Sequence, residues 1–174
     1  MLSNETVSFI KHRLGNRCTD EFIEYLNNIG FDTCPAAKSH HGNYEGGLYD
    51  HSLEVATQLA ILTVKLDLEW SCPESPWVVG LLHDICKTDD YKYNFAINNK
   101  IEYAPTQDGH GSKSVEMLQD KFPLTIEEAM CIRYHMGAFT DKSEWGDYSK
   151  AVKDYPNVLY THTADMIASQ IKGV

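Results

Sequence analysis

The sequence predicts an all-α fold with at most a small β-hairpin near residues 90–105. Two observations carry this prediction: apolar residues recur every three or four positions through much of the chain, and helix-capping patterns precede several of these segments. The apolar content of 43% over 174 residues is that of an ordinary globular protein. We expect one helical bundle over residues 1–174, with a helical lead-in at 1–30 and the core of the domain at about 40–172.

Two short helices are expected at the start of the chain. The periodic segments 3–14 and 19–29 end near Gly15 and Gly30, and glycine often follows the last turn of a helix. Residues 31–47 are rich in glycine and include a proline, so they are predicted to form a loop.

A long helix is predicted over about 47–68, because its apolar residues lie three or four apart on one face and His51 falls within that stripe. A second helix should open at Ser75 and Pro76, with serine as the N-cap and proline at the first helical position. This helix is expected to carry the sequence WVVGLLHDICK.

Three further helices are expected in the second half of the chain, each after a residue that commonly opens a helix. They are a helix at 110–121 capped by Asp108, a helix opened by the capping box of Thr125 and Glu128, and a helix at 156–171 opened by Pro156. The tyrosine-rich segment 87–107 is predicted to form either the small hairpin or an irregular insertion.

Composition limits the partners of the protein. A net charge of −10 argues against binding of long nucleic acid, which needs a basic face, but a bound divalent cation would still allow a phosphorylated substrate. No apolar run is long enough to span a membrane. Five widely spaced cysteines and the lack of a secretory signal favour reduced thiols and a cytoplasmic location. The oligomeric state is not predicted.

Histidine and aspartate residues with the chemistry of metal ligands follow one another in a defined order. They are His51, His83, Asp84, His110, His135 and Asp165. Imidazole nitrogen and carboxylate oxygen suit iron or manganese better than a thiolate site would. One metal would be held by His51, His83, Asp84 and Asp165. If Asp84 bridges two metals, His110 and His135 can hold the second.

This order, H…HD…H…H…D, resembles that of the HD superfamily of metal-dependent phosphohydrolases over roughly residues 40–170. The segments GGLYDHS, HDICK, GHGS and YHMG are most similar to the HD domain of bacterial 3′→5′ exoribonucleases. The nucleic-acid-binding domain of those enzymes has no counterpart here, so a polymeric substrate is not expected. The resemblance implies an HD-type bundle with two metals bridged by Asp84. Cys86 stands where many relatives have glycine.

The resemblance also implies a metal-dependent phosphohydrolase that cleaves a small phosphate ester, such as a nucleotide or a related metabolite, with a metal-activated water. Its cofactor would be one or two divalent transition metals, with iron or manganese favoured and nickel, cobalt, zinc or magnesium also compatible. Asp84 and Lys87 are the predicted catalytic residues, and Lys87 should neutralise charge on a phosphoryl oxygen. His41, Lys87 and His162 are candidate substrate contacts, although loop polarity or packing explains the two histidines equally well.

Two other functions remain open on the same residues. Some HD relatives use this ligand set to bind two irons and activate dioxygen, so a di-iron oxygenase is one alternative. The other is a non-catalytic regulatory module that binds a nucleotide, although a pure binder would not need a complete and open metal site.

Overall fold

The structure is a computed structural model that describes residues 1–38, 42–94, 100–103 and 109–174, with the backbone alone for 92–94 and 100–103. Its helices are α1 (Asn4–Leu14), α2 (Asp20–Asn28), α3 (Gly47–Leu66), α4 (Ser75–Leu82), α5 (Lys87–Asp90), α6 (His110–Leu118), α7 (Ile126–Arg133), α8 (Trp145–Asp154) and α9 (Asn157–Met166). Strands β1 (Tyr91–Asn94) and β2 (Lys100–Tyr103) pair antiparallel, with Tyr91 opposite Tyr103. The predicted all-α class and its small hairpin are confirmed.

The first two helices begin and end close to where the sequence predicts. The side chain of Ser3 accepts a hydrogen bond from the backbone N–H of Thr6, and Thr19 caps the second helix in the same way. Gly15 ends the first helix with a φ of 64°, a conformation that glycine adopts without strain.

The core is built around α3, which packs against α4 and α9. One face of α3 is fully buried through Leu48, Val55 and Leu59, as the apolar spacing predicts. The helices α3 and α4 approach closely at Gly80, where an added Cβ would lie 2.2 Å from the Cα of Ala56. Beyond this contact the end of α4, and with it the His83-Asp84 dipeptide, lies against His51 near the start of α3.

The prediction for α4 is wrong at both of its ends. Ser75 is the first helical residue rather than the N-cap, and its hydroxyl donates to Glu128 at 2.7 Å. The helix stops at Leu82 because the following backbone forms tighter turns, in which the N–H of Ile85 bonds to the carbonyl of Leu82 and the N–H of Lys87 to that of Asp84. The HDICK segment therefore lies in these turns and in the start of α5.

The helices in the second half differ from the prediction in their boundaries. Helix α6 ends at Leu118 and is preceded by Gly109 in a left-handed conformation, while Asp108 lies outside the described residues. Helix α9 ends at Met166 and continues as a π-helical segment over Ile167–Lys172. Helix α8 was not predicted, since no side chain caps its start and Gly146 lies in its first turn.

Helix α7 is attached to the rest of the bundle through the buried carboxylate of Glu128. This carboxylate accepts two hydrogen bonds from Arg17, at 2.7 and 2.8 Å, and one from Ser75. It also accepts the backbone N–H of Thr125 at 2.8 Å, which completes the predicted capping box. Arg17 follows α1 and Ser75 opens α4, so one side chain connects three parts of the chain.

All five cysteines are free, as their spacing predicts. Within the part of the chain that the structure describes, no helix combines the length and the apolar composition that crossing a membrane requires.

Candidate metal centre

Side chains from four distant segments meet where α3, α4, α7 and α9 come together. His51 lies on α3, His83 and Asp84 follow α4, His135 follows α7, and Asp165 lies near the end of α9. The first four of these side chains are almost completely buried, while the Asp165 side chain is 16% exposed. The fold thus brings five of the six predicted ligands to one place.

The three histidines of this cluster are held in the same way. Each has its ring Nδ1 within hydrogen-bonding distance of a backbone carbonyl oxygen, which can only accept. The pairs are His51 with Val174 at 3.0 Å, His83 with Gly80 at 2.8 Å and His135 with Ile132 at 2.8 Å. The proton of each neutral ring therefore resides on Nδ1, and the lone pair of Nε2 is left for a ligand.

The three Nε2 atoms are directed at carboxylate oxygens. That of His51 lies 3.3 Å from Oδ1 of Asp165, and that of His83 lies 3.4 Å from Oδ2 of Asp84. The Nε2 atom of His135 lies 3.3 Å from the other oxygen of Asp84. Two groups have ligand atoms within 4.8 Å of one another, namely His51 with His83 and Asp165, and His83 with Asp84 and His135.

Four of these atoms are buried without a hydrogen-bond partner. They are the Nε2 atoms of His51, His83 and His135, and Oδ1 of Asp84. Each such atom costs about 1–3 kcal/mol when it is left unsatisfied. Converging nitrogen and oxygen donors of this kind are the ligand set that a divalent transition metal prefers. The residues present therefore fit a metal ion.

The charges of the cluster favour ionised carboxylates. Burial opposes ionisation of Asp84, but the Lys87 ammonium and His83 outweigh it and hold the pKa of Asp84 well below its usual range. Burial likewise opposes ionisation of Asp165, yet its contact with His51 lowers the pKa of Asp165 to about 2. Both carboxylates are anionic at neutral pH, which is the form that binds metal.

The pKa values of His83 and His135 shift in opposite directions. Burial lowers the pKa of His83, because the neighbouring Asp84 compensates only in part. Burial also disfavours the charged form of His135, but the contact with Asp84 outweighs it and raises the pKa of His135.

Lys87 lies beside the same cluster. Its ammonium is 2.6 Å from Oδ2 of Asp84, and its side chain is 21% exposed. Burial disfavours the charged form, but the adjacent carboxylate of Asp84 outweighs burial and raises the pKa of Lys87. Lys87 therefore carries a positive charge beside the candidate ligands.

A cavity of about 250 Å³ opens onto these residues. Its lining includes His51, Asp84, Lys87, His110, His162 and Asp165 from the predicted site, and Ala36, Ala37, Met136, Phe139, Met166, Ser169, Gln170 and Val174. A second cavity of about 230 Å³ adjoins it, since both are lined by His110, Met136 and Phe139. Arg133 and Glu144, which pair at 3.4 Å, line the second cavity.

His110 is the predicted ligand that does not join the cluster. It lines both cavities but belongs to neither group of closely spaced ligand atoms. Its Nδ1 lies 3.7 Å from the sulfur of Cys86, a fully buried thiol whose pKa burial raises to about 12. His135 lies close to Asp84 and His83. The pairing of His110 with His135 around a second metal stays a prediction.

Of the two histidines predicted to contact substrate, the structure describes only His162. His162 lines the first cavity, and its Nδ1 lies 2.9 Å from the backbone carbonyl of His135. Its ring therefore holds the His135 turn while it faces the cavity. His41 lies outside the described residues, as does its neighbour His40.

Several residues of the site carry no signal in the sequence. The carbonyl oxygens of Gly80, Ile132 and Val174 orient the histidines, but any residue type can supply a carbonyl. The contact between Cys86 and His110 joins residues 24 positions apart and is visible only in the fold. Ser169 and Gln170 come to the cavity because the π-helical segment follows α9.

Comparison with protein families agrees with this geometry. The family described as the HD domain matches residues 48–168, which is more than half of the chain and contains all six predicted ligands. The chain belongs to the HD domain family. HD domains bind divalent metals and are mostly phosphohydrolases, and the buried histidine and aspartate groups of this HD domain agree with that chemistry.

No curated protein and no solved structure matches the sequence of this HD domain. The closer likeness to the HD domain of exoribonucleases therefore has no support beyond the short segments that suggested it. The family assignment rests on residues 48–168.

Proposed function

We propose that this HD domain hydrolyses a small phosphate ester with the help of a bound divalent metal. The observation that carries the proposal is the group of four buried ligand atoms without hydrogen bonds, from His51, His83, Asp84 and His135, beside a cavity of about 250 Å³. Burying such atoms without a partner is unfavourable, so their convergence indicates a site built for an ion.

The residues that would hold the metal are His51, His83, Asp84 and Asp165, with His135 beside the second oxygen of Asp84. A bound divalent cation lowers the pKa of water and neutralises negative charge on a phosphoryl group. The protein supplies imidazoles whose Nε2 is unprotonated and carboxylates that are ionised. The carbonyl partners of the three histidines leave each Nε2 free to bind.

Lys87 would act on the substrate from the wall of the cavity. One of its three N–H groups is directed at Asp84, which leaves two donors for phosphoryl oxygens. A positive charge at this position would stabilise the negative charge that develops in the transition state. His162 lines the same cavity and is the remaining described candidate for a substrate contact.

The size and charge of the molecule support a small substrate. A cavity of about 250 Å³ can take a phosphoryl group and part of its leaving group, and the adjoining cavity of about 230 Å³ extends the space. A net charge of −10 disfavours a long anionic polymer. A nucleotide or a similar phosphorylated metabolite is therefore the substrate class that we propose.

The proposal is tested by loading the purified protein with manganese or iron and screening phosphomonoesters, phosphodiesters and nucleotides for release of phosphate or nucleoside. We expect metal-dependent hydrolysis that chelation removes. Consumption of oxygen by the iron form without hydrolysis would contradict the proposal in favour of an oxygenase. Tight nucleotide binding without turnover in any metal would contradict it in favour of a regulatory module.

Replacing Lys87 with Met should lower kcat by about 10²-fold while the metal content stays near that of the wild type, because the charge that assists the phosphoryl group is lost and the predicted ligands remain. The measurements are initial rates with p-nitrophenyl phosphate and metal content by mass spectrometry. Lys150→Met, at an exposed position, is the matched control. An unchanged kcat in Lys87→Met would argue against a role for this ammonium in catalysis.

A further inference from the structure

We propose that His110 is a hydrogen-bond donor to the leaving oxygen of the substrate and not a metal ligand, and that the thiol of Cys86 determines this role by keeping the ring proton on Nε2. The inference rests on the proposed function for the leaving oxygen, whereas the tautomer and the absence of a metal bond do not depend on catalysis.

Four of the imidazole rings at the site share one kind of hydrogen-bond partner. The rings of His51, His83, His135 and His162 all place Nδ1 against a backbone carbonyl oxygen. A carbonyl only accepts hydrogen bonds, so these rings carry the proton on Nδ1 and keep a lone pair on Nε2. A lone pair on Nε2 is what a ligand directed at the metal site requires.

His110 has a different kind of partner. Its Nδ1 lies 3.7 Å from the sulfur of Cys86, and Cys86 is fully buried. Burial keeps a thiol protonated. A thiol is a weak donor and sulfur a weak acceptor, whereas the unprotonated imidazole nitrogen is a good acceptor, so the favoured arrangement has the S–H donating to Nδ1. The proton of a neutral His110 ring then resides on Nε2, which has no lone pair left for a metal.

The position of His110 agrees with this arrangement. It belongs to neither of the two groups whose ligand atoms lie within 4.8 Å of one another. Instead it lines both the cavity at the candidate metal centre and the adjoining cavity beside Arg133. Since Nδ1 faces the buried thiol, the Nε2–H of His110 is left for the cavity side.

The junction between the two cavities is where the ester bond would break. With a phosphoryl group beside Lys87 in the first cavity, the leaving group would extend into the second, and the oxygen that joins them would lie near His110, which lines both cavities. Donation from Nε2–H would stabilise the negative charge that develops on this oxygen as its bond to phosphorus breaks. His110 keeps its proton throughout, so the proposal includes no proton transfer.

Metal content gives the first test. His110→Gln and His135→Gln are compared with the wild type after loading with manganese, and bound metal per chain is measured by mass spectrometry. We expect His110→Gln to bind as much metal as the wild type and His135→Gln to bind less. Loss of one equivalent of metal in His110→Gln would overturn the proposal.

The tautomer gives the second test, and it needs no activity. Long-range ¹H–¹⁵N correlation spectra of the zinc-loaded protein distinguish the two neutral tautomers of each ring, and His110→Gln identifies the signals of His110. We expect the Nε2–H form in the wild type and a shift towards the Nδ1–H form in Cys86→Ala. Cys18→Ala, which also removes a buried thiol, should leave the His110 signals unchanged. The Nδ1–H form in the wild type would overturn the proposal.

The dependence on the leaving group gives the third test. His110→Ala should slow hydrolysis of phenyl phosphate more than that of p-nitrophenyl phosphate, because a poorer leaving oxygen carries more charge and depends more on a hydrogen-bond donor. Equal losses for the two esters would contradict a contact with the leaving oxygen. If the wild type hydrolyses no ester, the proposed function fails, while metal content and tautomer still decide whether His110 is a ligand.

Discussion

Replacing Asp84 with Asn should remove bound metal and lower turnover by at least about 10³-fold, because several kcal/mol of metal binding and charge stabilisation are lost together. The two carboxylate oxygens of Asp84 lie 3.3–3.8 Å from the Nε2 atoms of three histidines. An amide keeps the shape of the side chain but carries no charge. Metal content and the rate of ester hydrolysis measure the effect, and circular dichroism shows whether the variant folds.

The thermal stability of Asp84→Asn tests metal binding independently of turnover. A ligand at about 1,000 times its Kd stabilises the folded state by about 4 kcal/mol, so manganese should raise the Tm of the wild type and leave that of Asp84→Asn unchanged. Asp147→Asn, at an exposed position on α8, should respond as the wild type does. Full activity and a normal response to metal in Asp84→Asn would refute the proposed centre.

Replacing Glu128 with Ala should destabilise the fold by about 3–5 kcal/mol, because removing one partner of a buried ion pair leaves the other charge without compensation. Glu128 is completely buried and accepts hydrogen bonds from Arg17, Ser75 and the backbone of Thr125. For a chain of this length the loss corresponds to a fall in Tm of about 6–20 °C. Thermal and urea unfolding measure it.

The ionisation of Glu128 should make the free energy of unfolding depend on pH in the acid range. Burial opposes ionisation of Glu128, but the hydrogen bonds from Arg17 outweigh it and hold the pKa of Glu128 below its ordinary value of 4.5. The stabilisation is therefore present above about pH 4.5 and is lost as the pH falls through the lower pKa of the folded state.

The matched comparison is between two variants that each replace a glutamate by glutamine. Glu128→Gln should lose this part of the acid dependence, whereas Glu24→Gln, at an exposed position, should retain it. Equal acid dependence of unfolding in the two variants would contradict the role given to Glu128.

Much of the fold follows from local patterns in the sequence. The capping box of Thr125 and Glu128, the glycine after α1 and the apolar face of α3 each depend on residues within a few turns of one another. Such local preferences act in the same way in any tertiary context. Helix α8 lacks a comparable start signal, because no side chain caps its first turn and Gly146 weakens its helical preference.

The candidate site likewise has features that the sequence predicts and features that depend on distant contacts. The order of His51, the His83-Asp84 dipeptide and Asp165 predicts a shared ion, and the fold brings these side chains together. The end of α4 could not be predicted, because Ser75 turns to Glu128 of α7 and the backbone after Leu82 tightens into turns. Both depend on contacts with distant parts of the chain.

By itself the sequence determined the helical class, the family and which residues have the chemistry of metal ligands, because residue type and local periodicity are properties of the chain alone. Only the tertiary structure decided which group lies opposite Nδ1 of each imidazole ring, because the fold and not the residue type places that group. It is a backbone carbonyl for His135 and the thiol of Cys86 for His110, although the two histidines look the same in the sequence.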